Sequence, residues 1–140
     1  MGEEDVEDTP YDFRVARPLR DLRLDDGFGD LERDRSGVAT AVVRDPATGQ
    51  GVALWVDRHH PWLMVFSADA GWDPPRQALA VEPMTAPPDA FRSGRDLVSL
   101  APAGQPEIGG RVEAREVGRR VDVGDRDLGR RHEGGAALGR

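Results

Sequence analysis

The sequence predicts an all-β domain, folded as a sandwich or a barrel. Short apolar, β-branched runs recur along the chain with Pro, Gly and Asp between them, and no long segment has the periodicity of an amphipathic helix. The length of 140 residues suits one domain rather than two. All of the Trp, Tyr and Phe residues lie between positions 11 and 91, so we expect the hydrophobic core within that range.

Composition restricts the classes of function that we expect. No apolar run approaches the ~18 residues of a membrane-spanning helix, and the start MGEEDVEDTP does not resemble a secretory signal peptide. We therefore expect a cytoplasmic protein that does not bind membranes. The net charge of −7 and the absence of a basic face make nucleic acid an unexpected partner. The absence of cysteine excludes disulfides, thiolate zinc sites and a cysteine nucleophile.

The clearest local prediction is a β-hairpin. The runs VATAVVRD (38–45) and GVALWVD (51–57) are rich in β-branched and apolar residues, and the PATGQ between them contains turn-forming Pro and Gly. A strand over residues 62–68 is predicted to follow. A fourth strand, residues 78–82, is predicted to stop at Pro83, which cannot donate a ladder hydrogen bond, and a fifth covers residues 97–100.

The two ends of the chain are predicted to contribute little to the core. Residues 1–8 form an acidic lead-in, and residues 9–26 give two short extended pieces broken by Pro18. Residues 105–140 are drawn almost wholly from Val, Ala, Asp, Glu, Gly and Arg. This low-complexity tail is predicted to be disordered or loosely helical, with RVEAREVGRRV as its one weak helical candidate. Out-of-frame translation of GC-rich DNA would give the same composition, and both explanations of the tail stay open.

Carboxylates supply the best candidates for a functional site. Glu82 ends an apolar strand and shares a strand face with Ala78 and Ala80, whose small side chains leave room for a ligand. A carboxylate in this position could act as a general base, and the alternative is a glutamate solvated at the strand end. Asp25 and Asp26 could hold sugar hydroxyls or a cation, although a solvated turn is the commoner explanation of Asp-Asp-Gly.

Other polar and aromatic motifs favour structural roles. His59 and His60, beside Asp57, are predicted to form a polar linker rather than a metal site, because adjacent histidines in a strand diverge and a closed zinc site needs four ligands. An apolar stripe at period 2 is predicted to belong to the core rather than to a stacking platform for a ligand; its members are Trp62, Met64 and Phe66.

Several segments, taken in order, resemble the C-terminal half of the aldose 1-epimerases, the galactose mutarotase family. They are TPYDFRVARPL, then RLDDGFGDLERD, then the stretch that runs from ALWVDRHHPWLMVFSAD to RQALAVEPMTAPPDAFRSGRDLVSLAPAG. Together they cover residues 9–104. The most specific element is AVEPMTAPPDAF with the Ser-Gly and the apolar run that follow it.

The resemblance implies both a fold and an activity. The fold would be part of a large, many-stranded β-sandwich, the galactose-mutarotase-like supersandwich, with the sugar on its concave face. The activity would be that of an isomerase, which interconverts the α and β anomers of a free aldose and needs no cofactor and no metal. Glu82 occupies the position of the family's general base. Asp25 is the best match for the aspartate that contacts sugar hydroxyls, with Asp26 beside it as the fallback.

The resemblance also implies what these 140 residues lack. The family's general acid is a histidine upstream of the DFR segment, accompanied by a second histidine and an arginine that position the sugar. None of the three histidines here, His59, His60 and His132, matches those positions. We therefore expect either a truncated aldose 1-epimerase or a non-catalytic carbohydrate-binding or remnant module that lacks the acid. A partial sandwich would leave open sheet edges through which the chain could self-associate.

Overall fold

Two antiparallel sheets of three strands each make up the fold in a computed structural model, which describes residues 3–71, 73–102 and 110–118. The strands are β1 (Asp25–Phe28), β2 (Ala39–Arg44), β3 (Gly51–Val56), β4 (Trp62–Phe66), β5 (Ala80–Met84) and β6 (Val112–Val117), and a short helix α1 spans Ala90–Ser93. The strand orders are β1-β4-β5 in one sheet and β2-β3-β6 in the other. The all-β prediction is therefore confirmed.

The predicted hairpin is formed by β2 and β3. Its register runs from Ala39 opposite Val56 to Arg44 opposite Gly51. Asp45 closes the turn, because its N–H donates to the Gln50 carbonyl at 2.8 Å and its own carbonyl accepts from the Gly49 N–H at 2.8 Å. Gly49 has a φ of 74°, a left-handed conformation that favours glycine. The turn chemistry seen in PATGQ thus decides where the chain reverses.

The hydrophobic core lies between the two sheets. Leu63 of β4 packs against Ala39 and Val56 of the hairpin, and all three side chains are buried. Half-buried apolar side chains surround this cluster: Leu31, Ala41, Leu54 and Val81. The β1-β4-β5 sheet therefore turns one face inward, the face that carries Leu63 and Val81, and leaves the other available for a site.

β5 differs from its predicted bounds at both ends. It begins at Ala80 and continues through Pro83 to Met84, so the prediction that Pro83 ends the strand was wrong. The sheet order explains the difference, because β5 pairs with β4 on one side and has no strand on the other among the described residues. Proline is tolerated in such an edge strand, whose outer side needs no donor for a neighbouring strand.

The C-terminal part also differs from the prediction. Residues 112–117, expected to be disordered or loosely helical, form β6, which pairs with β3 from Gly51 opposite Val117 to Val56 opposite Val112. The free edge of β3 supplies hydrogen-bond partners that outweigh the weak local helical preference. Residues 97–100 are exposed and form no strand, since that run finds no pairing partner in the described chain. The rest of the predicted tail, 105–109 and 119–140, lies outside the described residues.

The N-terminal region is irregular, and its contacts with the β1-β4-β5 sheet include an aromatic pair. Residues 9–24 contain turns instead of two extended pieces. Phe13 of the DFR motif meets Phe28 of β1 edge to face, with 5.8 Å between ring centroids. Within the described ranges, no helix has the length and apolar character needed to cross a membrane.

Candidate functional site

Asp25 and Glu82 lie on the same face of the β1-β4-β5 sheet. Residues directly opposite each other in antiparallel strands point to the same side. Glu82 is opposite Met64, and Asp25 is opposite Phe66, two residues further along the same strand β4. The two carboxylates therefore share a surface with Met64, Phe66 and Ala80, which we call the carboxylate face.

On the carboxylate face, strand β4 lies between Asp25 of β1 and Glu82 of β5. Two strand spacings of about 4.8 Å and a two-residue offset of about 3.4 Å per residue put their Cα atoms roughly 12 Å apart. Both acidic side chains are exposed, and Met64 and Phe66 between them are half-buried. A small ligand lying over these two apolar residues could therefore be reached by a carboxylate from each side.

Asp26 faces away from this surface. It is opposite Val65, on the side of the sheet that sends Leu63 and Val81 into the core. Its Oδ2 accepts a hydrogen bond from the Asp25 N–H at 3.1 Å. Of the two aspartates considered from the sequence, the structure thus brings only Asp25 to the side of Glu82. Both lie in β1 and not in the solvated turn that Asp-Asp-Gly commonly forms.

The loop after β5 folds back over β1. A Cβ atom added to Gly27 would lie 2.8 Å from Pro88 Cδ and 3.9 Å from Met84 Cε, so the loop packs directly on the glycine backbone. This contact joins the LDDGFG segment to the AVEPMTAPPDAF segment, which are more than fifty residues apart in sequence. Only a residue without a side chain permits the approach.

Ala78, predicted to share the face of Glu82, precedes β5.

Trp62 closes the other end of the same face. Its ring lies against Gly29, its Nε1–H donates to Asp96 Oδ2 at 2.9 Å, and the Arg95 guanidinium lies 4.7 Å from its ring centroid. The predicted core role of the apolar stripe is correct for Trp62, which is buried. Met64 and Phe66, the rest of the stripe, lie instead on the half-covered carboxylate face, and Leu63 enters the core.

The two described histidines lie beside Asp57, which directly follows β3. Their Nδ1 atoms lie 3.3 Å (His59) and 3.4 Å (His60) from Asp57 Oδ1, and the Arg111 N–H donates to Asp57 Oδ2 at 2.7 Å. Burial opposes ionisation of this carboxyl, but the N–H groups of Arg111 and His59 outweigh it and lower the pKa of Asp57 to about 2. Within the described part of the chain, no group of three or more potential ligands is placed to hold a metal ion.

A series of hydrogen bonds at the start of β1 was not predicted from the sequence. The buried Ser67, directly after β4, accepts a hydrogen bond from the Leu24 N–H at 2.9 Å through its Oγ and bonds to Asp69 through its hydroxyl. Arg76 Nη1 pairs with Asp69 in turn. The three residues follow no motif in the sequence, and only the fold brings them together.

The fold and the carboxylate face define an all-β protein of two antiparallel sheets, with two acids exposed on one sheet face. Among curated proteins the chain is similar to uncharacterized protein YihR of Escherichia coli (strain K12), with 32% identity over 95 residues, which are 68% of this chain. The chain spans 28% of the length of that relative. No protein-family model matches the chain, and no solved structure does.

Proposed function

We propose that the chain belongs to an aldose 1-epimerase-like protein, which interconverts the α and β anomers of a free aldose. The observation that carries the proposal is the joint exposure of Asp25 and Glu82 on one sheet face, across the half-buried Met64 and Phe66. These are the two residues that the family resemblance assigns to sugar binding and to the general base. The segments that carry the resemblance also meet in space where Pro88 packs on Gly27.

In this reaction Glu82 takes the proton from the C1 hydroxyl of the sugar. An acid protonates the ring oxygen, the C1–O5 bond breaks, and the open-chain aldehyde forms. Rotation about the C1–C2 bond exposes the other face of the aldehyde, and the reverse transfers close the ring as the other anomer. Asp25 accepts hydrogen bonds from sugar hydroxyls and holds the ring over the apolar part of the carboxylate face.

The proposed reaction needs a general acid on the same face. His59 and His60 lie beside Asp57 in the connection between β3 and β4, outside the strands that form the carboxylate face. His132 is outside the described residues. The loss of one proton-transfer partner typically lowers a rate by about 10² to 10⁴. This position of the histidines favours a second candidate function, a carbohydrate-binding module that holds the sugar without catalysing ring opening.

A mutarotation assay on several aldoses, corrected for spontaneous rotation, tests the first candidate. We expect faster equilibration than in buffer, and we expect Glu82→Gln to abolish most of the gain. Glu116→Gln is the matched control, since Glu116 is an exposed strand glutamate of the other sheet. Equal rates for wild type and Glu82→Gln would remove Glu82 from the mechanism.

Chemical-shift titration with the same sugars separates the two candidates. Sugar-dependent shifts at residues of the carboxylate face, without faster mutarotation, would support the binding module. A folded chain that shows neither shifts at millimolar aldose nor faster mutarotation would contradict both candidates.

A further inference from the structure

Leu24, the residue before Asp25, is held at both of its backbone groups by Ser67. The Leu24 N–H donates to Ser67 Oγ at 2.9 Å, and the Ser67 N–H donates to the Leu24 carbonyl at 2.9 Å. Both residues are 2% exposed. Because Asp25 is opposite Phe66, this pair continues the β1–β4 ladder by one residue and anchors the start of β1.

A charged pair supports the Ser67 hydroxyl from the solvent side. The hydroxyl bonds to Asp69, whose other oxygen pairs with Arg76. The Ser67 hydrogen bond lowers the pKa of Asp69, against the opposing effect of burial, and Arg76 lowers it further. Asp69 is therefore ionised at neutral pH and accepts the hydroxyl proton, which leaves an Oγ lone pair directed to the Leu24 N–H.

Arg76 extends the same anchor into the segment that leads to β1. Its Nη1 donates to the Leu22 carbonyl at 3.1 Å, and its Nη2 donates to the Arg20 carbonyl at 2.7 Å. Its own N–H donates to the Ala68 carbonyl at 2.8 Å, which ties the arginine to the residue after Ser67. Arg20, Leu22 and Leu24 are thus each hydrogen-bonded to Arg76 or Ser67, in the segment that begins where β4 ends.

The register of β1 against β4 decides which aspartate lies on the same face as Glu82. Side chains alternate along a strand, so a slip of one residue in β1 would place Asp26 on the carboxylate face and turn Asp25 away. β1 has only four residues, and the first three of them, Asp25, Asp26 and Gly27, are exposed. These three residues bury little apolar surface that could fix the register of the strand. Leu24, buried and hydrogen-bonded to Ser67 at both backbone groups, restrains that register at the start of β1, in addition to the close packing of Pro88 on Gly27.

We propose that Ser67, Asp69 and Arg76 are positioning residues that lock the β1 register and thereby hold Asp25 on the carboxylate face. The inference rests on the proposed function for the role of Asp25 in sugar binding. Its structural part, the register, can be measured without sugar.

The experiment compares Ser67→Ala with Ser67→Thr, which keeps the hydroxyl. Ser36→Ala is the matched control, because Ser36 Oγ also bonds to an aspartate, Asp34, but in an exposed turn. In each variant, amide hydrogen exchange at Leu24 and the cross-strand NOE between Asp25 and Phe66 report the register. Titration with an aldose that binds wild type then reports the sugar Kd.

We expect Ser67→Ala to speed exchange at Leu24 by about tenfold or more, to weaken the Asp25–Phe66 NOE, and to raise the sugar Kd by about tenfold. Ser67→Thr should stay within about twofold of wild type on each measure, as should Ser36→Ala. If Ser67→Ala does not fold, Arg76→Gln removes the solvent-side end of the anchor and should give a smaller loss of the same kind.

Two outcomes separate the inference from the proposed function. An unchanged register in folded Ser67→Ala would overturn the positioning role, whatever the sugar does. A wild-type chain that binds no aldose, but whose register depends on Ser67, would overturn the proposed function and leave the structural role of the anchor established.

Discussion

Asp25 and Glu82 stand on one face of the β1-β4-β5 sheet with Met64 and Phe66 between them, while the neighbouring Asp26 points to the opposite face. The resemblance to the aldose 1-epimerases favours Asp25 as the sugar ligand and keeps Asp26 as the fallback. The register of β1 distinguishes them, because one position along a strand exchanges the two faces of a sheet. The geometry thus narrows the proposed sugar site to Asp25.

Replacement of the two aspartates by alanine should have unequal effects. Asp25→Ala removes a carboxylate from the carboxylate face, and we expect the Kd for a bound aldose to rise about tenfold or more, because hydrogen bonds to charged groups are among the stronger ones. Asp26→Ala should change the Kd by less than about threefold. Titration followed by NMR measures both, and a larger effect for Asp26→Ala would contradict the assigned face.

Gly27→Ala should destabilise the protein and displace the loop after β5. The added Cβ would lie 2.8 Å from Pro88 Cδ, well inside contact distance, so the loop must move. Overpacking of this kind typically costs about 1 to 3 kcal/mol of unfolding free energy. Urea denaturation measures the loss. Gly118→Ala is the control, since no atom of the described residues lies within 4 Å of its added Cβ. An equal loss in both variants would contradict the close approach of Pro88 to Gly27.

The stability of the protein should fall in acid partly through Asp57. Its pKa is lowered to about 2 in the folded protein from 3.8, so it stabilises the fold above about pH 4, and the contribution is lost as the pH falls towards 2. At about 1.36 kcal/mol per pKa unit, the contribution corresponds to about 2 kcal/mol. Urea denaturation of wild type and Asp57→Asn between pH 2 and 6 should show a difference that shrinks as the pH falls. A constant difference would argue against this role of the carboxylate.

Proline substitution tests the pairing of β6 with β3. Neighbouring residues of a strand direct their N–H groups to opposite sides. Ala114→Pro and Arg115→Pro therefore differ: one of them removes an N–H that is hydrogen-bonded to β3, and the other removes an N–H that points away from β3. We expect one variant to lose about 1 to 3 kcal/mol more than the other. Hydrogen exchange at residues 112–117 provides a second measure, and unprotected amides there in wild type would contradict the strand.

Local chemistry explains why some elements could be predicted. The β2–β3 hairpin follows from two β-branched runs and a Pro- and Gly-containing turn, which act within about twenty residues of chain. β4 and the presence of Glu82 in a strand follow from the same kind of short-range pattern, although Glu82 is the third of the five residues of β5 and not its last. These features depend on backbone preference and on side-chain alternation, both of which are visible in the order of residues.

The order of residues did not show which strands would pair with each other. The RVEAREV run becomes a strand because β3 has a free edge beside it, whereas LVSL stays unpaired although its strand propensity is higher. Pro83 lies within β5 because that strand is at an edge of its sheet. In each case the outcome depends on which backbone groups are available in space, and a local pattern carries no information about them.

The residue order alone therefore predicted the all-β chain and its hairpin, both of which the fold confirms. It also named Glu82 and Asp25, with Asp26 as the fallback, as candidate site residues. The face on which each aspartate lies, the packing of Pro88 on Gly27 and the hydrogen bonds between Leu24 and Ser67 depend on the folded chain. The physical reason is the range of the interactions. Turns and alternation are set by neighbouring residues, whereas cross-strand register is set by hydrogen bonds between residues such as Leu24 and Ser67, which are 43 positions apart.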